Sequence, residues 1–388
     1  MALLMTIGRA ARLCRSISDS STPIGAGGIL PERGGSPMSL RHDRRTFLKQ
    51  ALGVASAGIS VPLFAACAPG PQPAAAPTTA PAAGAAATRV SYAYASTNGL
   101  HFVATVAGEK PDLARKFGVE FDLLTTTNSP NAVNALMGGS VNVAAVTPDS
   151  AWPAQDKAPD AKQLFPISDG TPYVLIAQPE IKKAADLKGK TLGVSALTGG
   201  ADLAAMRIIL AENGVSPSDY TLVQAGAISD RTAAMKAKSI AALAQLEPQA
   251  TILRDAGFPE VDSANNYPAL KGIHSVVLLS KTGFYQGNAD VAANFLRAWD
   301  AITRWIYDPA NKDEVIAIAK KTMGGSDAGS EAVYNLHVTA KSVSQNLRIN
   351  EKYMQQFVEN QKKAGATNLP TDAMKYVDSS LVAKVLNA

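Results

Sequence analysis

Asp186-Leu187-Lys188-Gly189-Lys190-Thr191-Leu192-Gly193-Val194-Ser195, followed by Ala196-Leu197-Thr198-Gly199-Gly200, is the stretch whose reading decides the fold. Asp186 to Lys190 is a polar turn punctuated by Gly189. Thr191 to Val194 reads as a short strand, and Ser195 to Gly200 as a loop of small and hydroxyl residues. A helix is expected to open near Ala201-Asp202, because Leu203, Met206, Ile209 and Leu210 recur on one face of a 3.6-residue period. Strand, small-residue loop and helix N-terminus together aim backbone N–H groups and the positive end of a helix dipole at one place.

The same stretch resembles the Asp-Leu-Lys-Gly-Lys-x-[Ile/Leu]-Gly-Val segment of the solute-binding proteins that feed ABC importers. The resemblance is to the group that binds sulfonates, nitrate, taurine and pyrimidine-type thiamine precursors. It implies an α/β fold of the two-lobed, type II periplasmic-binding-protein kind. Each lobe would be a mixed sheet flanked by helices, with a two-strand hinge between them. The resemblance runs in order and spacing from about residue 89 to the end of the chain.

Around this stretch the chain divides by composition. The sequence has 388 residues, of which 46% are apolar, enough for a sizeable core. Its formal charge of +5 is concentrated at the start. The first 67 residues hold eight basic and three acidic side chains; subtracting these from totals of 37 and 32 leaves 29 of each. The remainder is formally neutral, with no basic excess pointing to nucleic acid. Both cysteines, Cys14 and Cys67, precede the strand expected at residue 89, so the later chain can hold no disulfide, thiol nucleophile or cysteine metal site.

Asp43-Arg44-Arg45-Thr46-Phe47-Leu48-Lys49 resembles a twin-arginine export signal, with Arg44 and Arg45 as its pair. The uncharged run Ala51 to Ala66 has the length of a signal h-region rather than of a membrane span. It ends in Leu63-Phe64-Ala65-Ala66-Cys67, which resembles a lipobox and implies lipidation of Cys67. Residues 1–37 are expected to be an artefactual extension with translation starting at Met38, and 38–67 the signal peptide. The next segment, 68–88, contains only Ala, Pro, Gly, Gln and Thr and reads as a tether.

Residues 89–175 and 275–388 are then expected to form lobe 1, and 176–274 lobe 2. Arg89 to Ala95 alternates as a strand and leads into Ser96-Thr97-Asn98. Phe102 to Phe117 reads as a helix restarted at Pro111, and Val119 to Leu124 as a second strand. Ser129-Pro130 reads as a helix start with Ser129 as the cap. Val141 to Val146 is a third strand before Thr147-Pro148-Asp149-Ser150. Tyr173 to Gln178 and Ser275 to Leu279 are the two apolar strands that the family uses as its hinge. Strands are also expected at Tyr220 to Gln224 and Ile240 to Gln245, and helices at Asp230 to Lys238, Val291 to Tyr307, Glu314 to Met323, Glu331 to Ser344, Glu351 to Ala364 and Asp372 to Leu386.

In open α/β sheets, ligands sit outside the carboxyl ends of the strands. That rule nominates Ser96, Thr97, Asn98, Thr147, Asp149 and Ser150 from the first lobe. From the second it nominates Thr198, Gly199, Gly200, Gln224, Gln245 and Glu247, with Arg231 as a bidentate clamp for an acidic group. The same residue types are ordinary turn formers. Glu247 and Asp149 would repel a bare inorganic anion and suit a ligand that also carries an amine or ring N–H. Tyr92, Tyr94, Trp152 and Tyr173 would stack on a ring if they line the cleft. His101 follows the first loop alone.

There is no Gly-x-Ser-x-Gly, P-loop or dinucleotide fingerprint, and the four histidines lack metal-ligand spacing. Two enzyme types on similar folds, the yeast-type pyrimidine synthases and porphobilinogen deaminase, use cysteines that this part of the chain lacks. The resemblance therefore implies a binding protein rather than an enzyme, without cofactor or metal. It would be exported, periplasmic or at the cell surface, held to a membrane through Cys67 and monomeric. It would capture a small anionic or heteroaromatic solute by hinge closure and pass it to a permease and ATPase. A ligand-sensing lipoprotein and a pyrimidine-precursor enzyme are the alternatives.

Overall fold

The computed structural model describes residues 86–386. The twin-arginine segment, Cys67 and all but the last residues of the expected tether lie outside them. Among the described residues no helix is long and apolar enough to cross a membrane.

Among the described residues, ten strands form two five-stranded sheets. The first sheet contains β1 (Thr88–Ala95), β2 (Val119–Thr126), β3 (Val143–Val146), β4 (Ala161–Asp169) and β10 (His274–Lys281), in the order β2-β1-β3-β10-β4. The second contains β5 (Val174–Ala177), β6 (Thr191–Val194), β7 (Thr221–Gln224), β8 (Ala242–Gln245) and β9 (Glu260–Ser263), in the order β7-β6-β8-β5-β9. In each sheet four strands run in one direction and one interior strand runs against both its neighbours, β10 in the first and β5 in the second.

Helices cover the sheets. The first sheet carries α1 (Phe102–Glu109), α2 (Asp112–Arg115), α3 (Ser129–Met137) and α4 (Pro148–Lys157). The second carries α5 (Ala201–Glu212), α6 (Ile228–Lys236) and α7 (Gln249–Asp255). After β10 come α8 (Thr282–Tyr285), α9 (Ala289–Tyr307), α10 (Lys312–Met323), α11 (Asp327–Tyr334), α12 (Glu351–Lys363) and α13 (Ser380–Leu386). The fold is thus mixed α/β with two sheets, as the sequence implies.

The organising stretch folds as read: β6, a loop, then α5 opening at Ala201. Several expectations need correction. The two strands expected to act as a hinge are central strands of their own sheets. The chain crosses between sheets in the segments 170–173 and 264–273 instead. Ser129 is not the cap of α3: Asn128 is, its Oδ1 accepting from Asn131 N at 3.0 Å. The helix expected over Glu331 to Ser344 ends as a wide turn at Asn335–Thr339. Asp372 to Leu386 holds only a short turn and α13.

β4 and β9 are strands the sequence did not announce. Both lie at sheet edges, where Pro166 is tolerated because one side of the strand needs no partner. Tyr92 does not reach the cleft. It is fully buried among Trp299 (ring centroids 5.8 Å apart), Phe295 and Phe121.

The Tyr92 hydroxyl has no hydrogen-bond partner in that aromatic core, and burial pushes its pKa up. An unsatisfied buried hydroxyl opposes folding by about 1–3 kcal/mol. Tyr92→Phe removes it at constant ring packing. Urea denaturation of this variant should show a higher midpoint at unchanged slope, a gain of about 1 kcal/mol; a lower midpoint would mean the hydroxyl is solvated.

Candidate functional site

Because β1, β2 and β3 run parallel, their carboxyl ends share one edge of the first sheet. β6, β7 and β8 do the same in the second. Both crossing segments also leave and enter the sheets at these edges, so the two edges face each other across a cleft.

The deep part of the cleft is small, about 30 Å³, room for about two waters. Its first-sheet wall is built by the turns that follow the strands. Ser96 takes a left-handed backbone (φ 59°), and its hydroxyl receives a bond from Asn98 Nδ2 at 3.1 Å. Asn98 Oδ1 accepts from Leu100 N at 2.9 Å and so caps a turn that presents His101. Thr127, Asn128 and Ser129 follow β2, and Thr147 follows β3. Ser129 Oγ accepts from Thr147 N at 3.3 Å, which ties the starts of α3 and α4 together.

The second-sheet wall is electrostatic. Asp202, in the first turn of α5, accepts from Ser195 N and from Ser195 Oγ, each at 2.7 Å. Arg231, on α6, lies with Nη1 3.8 Å from Asp202 and donates to the Gly226 carbonyl at 2.8 Å. Arg231 and Asp202 are each only 4% exposed. Arg231 Nε has no partner. Tyr173, from the first crossing segment, lines the same space; burial and the Asp202 charge push its hydroxyl pKa up. Burial pulls His101 down to about 3, so its ring is neutral, and its Nδ1 has no partner.

A second, wider cavity of about 840 Å³ lies alongside, between α3, α4, α5, the 197–199 loop and the segment after α12. The two compartments meet where Thr147 Oγ1 and Ser150 Oγ bond at 2.6 Å. Thr147 and Gly200 face the cleft; Ser150 and Gly199 face the groove. Gly199 has φ +88°, and a Cβ there would lie 2.6 Å from Ser150 Oγ, so only glycine lets the two walls approach this closely.

The nominated residues thus separate into three groups. Ser96, Asn98, Thr147, Gly200 and Arg231 line the cleft. Asp149, Ser150, Thr198 and Gly199 line the groove, with Trp152. Thr97, Gln224, Gln245 and Glu247 line neither. Gln224 is exposed at the end of β7, and Gln245 is buried with Oε1 accepting from Leu246 N at 3.2 Å. Glu247 is occupied locally: it pairs with Arg254 and accepts from Thr251 N at 3.0 Å at the start of α7. The repulsion it was expected to exert on an anion therefore falls away. Asn128, Ser195 and Asp202 were not anticipated. Their signal was available, since Ser195 follows the end of β6 as directly as Ser96 follows β1, and Asn128 lies two residues past β2.

The matrix of elements, cleft and loops is a known one. Residues 106–311, more than half of the chain, match the family model described as NMT1/THI5 like, and the chain belongs to that family. A binding protein of Brucella abortus (strain 2308) is 35% identical over 123 residues, 31% of this chain; the chain spans 37% of that relative's length. The fold is that of the periplasmic solute-binding proteins. The alkanesulfonate-binding protein SsuA of Xanthomonas axonopodis pv. citri, bound to MOPS, superposes with a TM-score of 0.61 at 15% identity, covering 78% of this chain and 99% of that one. The periplasmic nitrate-binding protein NrtA of Synechocystis PCC 6803 gives a TM-score of 0.61 at 14% identity, covering 78% and 89%.

The neutral His101 has a consequence for acid stability. Its folded pKa, about 3, lies below the unfolded value of about 6.5. The unfolded chain therefore takes up a proton that the folded chain refuses. Stability is complete above pH 6.5 and falls as pH drops toward 3, by about 1.4 kcal/mol per pH unit from this residue. Chemical denaturation of wild type and His101→Asn at pH 6.5 and 5.5 should show the wild type losing about 1 kcal/mol more than the variant across that unit, since the unfolded imidazole is already half protonated at pH 6.5. Equal losses would show that His101 is charged in the fold.

Proposed function

We propose that this protein is the extracytoplasmic substrate-binding component of an ABC importer, capturing a small solute with an acidic group between its two lobes and delivering it to a permease. The observation that carries the reading is the Arg231 guanidinium. It is almost wholly buried at the facing strand ends, with Nε unpartnered, beside the helix start at Ala201 and opposite those at Ser129 and Pro148. Asp202 makes the bare site formally neutral, so the remaining N–H donors favour one added negative charge rather than two.

Family membership supports the binding role, and the sulfonate- and nitrate-binding proteins of similar fold support an anionic group as the ligand's head. Capture would proceed by closure of the lobes, a ligand touching both walls favouring the closed state by its differential affinity for it. In the cleft the carboxylate that accepts from the Ser195 hydroxyl, Asp202, is already paired with Arg231 and bonded by Ser195 N, an arrangement that suits a fixed counter-charge and supports binding over catalysis. Export by the twin arginines and anchoring through Cys67 would place this monomeric domain at the outer face of a membrane, on the tether 68–88.

Thermal-shift titration with ethanesulfonate, taurine, nitrate, a thiamine-type pyrimidine and benzoate tests the ligand reading. At least one acidic member should raise the melting temperature in a dose-dependent way. Arg231→Met should weaken that binding at least ~30-fold, the effect of about 2 kcal/mol. A shift from the uncharged pyrimidine alone, indifferent to Arg231, would refute the acidic head.

The anchor is tested separately. In detergent phase partition of producing cells, wild type should enter the detergent phase and Cys67→Ser the aqueous phase. Wild type in the aqueous phase would mean that the signal is cleaved without lipidation.

A further inference from the structure

We infer that the groove beside the cleft is a second ligand compartment, in which Asp149 and Gln361 hold an N–H-bearing group of a two-ended solute whose acidic end sits against Arg231. That group is a primary amine or an amino-substituted ring. The inference rests on the reading of the cleft given above and goes on to specify the solute's other end.

Size is the first argument. The cleft offers about 30 Å³ and the groove about 840 Å³, so the bulk of any organic solute must lie in the groove. The Thr147–Ser150 hydroxyl pair and the adjoining residues Gly199–Gly200 and Ser129–Pro130 lie where the two meet.

Unsatisfied chemistry is the second. Gln361, on α12, is 3% exposed, and its Nε2 donates to Asp149 Oδ2 at 2.6 Å. That bond fixes the amide and leaves Gln361 Oε1 as an acceptor with no partner. Asp149 Oδ1 is likewise out of water and unpartnered. Two joined side chains therefore present two free acceptors, and leaving buried acceptors unpaired is unfavourable. An amine or ring N–H satisfies both. A nitrate or the oxygens of a plain alkylsulfonate satisfy neither.

Trp152 adds a complementary donor. It is 3% exposed, lines the groove, packs against Tyr376 and Phe357, and its Nε1–H has no partner. A ring nitrogen or carbonyl beside the N–H group would meet it. Arg207 lines the same groove, and its charge, with bonds from Thr147 and Ser150, partly offsets the burial that raises the Asp149 pKa.

Calorimetric titration of the full chain with matched pairs tests this: taurine against ethanesulfonate, and 4-aminobenzoate against benzoate. In at least one pair the amine-bearing member should bind about tenfold more tightly or better, the scale of one charge-assisted hydrogen bond. Gln361→Leu and Asp149→Asn should each bring that ratio to about one. Far-UV circular dichroism checks that both variants fold, and if one does not, the other carries the comparison. Equal affinities within both pairs, or a ratio unchanged in the folded variants, overturn the second compartment and leave the cleft's capture of an acidic group standing. No binding by any of the four overturns the acidic-head reading and this inference with it.

Discussion

Gly170 donates to the Ile273 carbonyl at 2.7 Å, Thr171 to Leu270 at 3.2 Å, and Ala264 to Tyr173 at 2.8 Å. These backbone bonds join the two segments that carry the chain between sheets, and the rest of the structure depends on them. They hold the carboxyl ends of β1, β2 and β3 opposite those of β6, β7 and β8. Without that opposition the loops of either sheet would be ordinary turns on a surface. With it, the starts of α3, α4 and α5 point into one enclosed space, where partial charges act in little water. His274 reinforces the crossing from the C-terminal side: Nδ1 meets Asp169 at 2.7 Å, and Nε2 accepts from Asn350 N at 2.8 Å. The start of α12 is thereby tied to the root of β10.

The charge of the cleft follows from what that enclosure permits. A lone buried guanidinium would be strongly unfavourable, and Asp202 offsets it. Asp202 is itself held by two bonds from Ser195, so the β6–α5 loop and the Arg231 counter-charge are one construction. A carboxylate placed this way leaves Nε of the guanidinium free. The site is neutral overall yet rich in N–H donors. On the reading proposed above, that combination would suit a singly charged head without the long-range attraction that would gather every anion. Fully buried and neutral, His101 adds shape and a hydrogen-bonding ring to this wall rather than charge.

Much of the fold was legible because its signals are local. The turn at Gly189, strand β6 and helix α5 follow from propensity and period, and so does α9 with its aromatic face. Arg231 was legible as a candidate because it follows a strand end by a fixed, short distance. What was not legible depended on partners far away in sequence. β4 and β9 are edge strands whose pairing is decided by β10 and β5, not by their own residues. Glu247 stands at a strand end as the other candidates do, and only Arg254 and Thr251 in three dimensions show that it is already engaged. Gln361 could not have been found by any rule about strand ends. It lies on α12, more than two hundred residues from Asp149, and reaches the groove through the C-terminal return of the chain.

The bonds across the cleft differ in kind from those at the crossing. Asn128 Nδ2 reaches Ser195 O at 3.4 Å, Gln249 Nε2 reaches Met323 O at 3.4 Å, and Lys363 pairs with Glu212 at the exposed rim. Each is long or solvated and made by a side chain. Such contacts contribute little individually, and an exposed pair contributes about 0–1 kcal/mol. The crossing, by contrast, is backbone to backbone, and Asn360 of α12 also bonds the Ala269 carbonyl within it. Opening of the lobes would therefore break the rim and spare the crossing, turning about residues 170–173 and 264–273. Gly199 against Ser150 would part early in that motion, since nothing but van der Waals contact joins them. A solute bridging the cleft and groove would add bonds where the protein's own are weakest, which is the energetic condition for a ligand to set the position of a hinge.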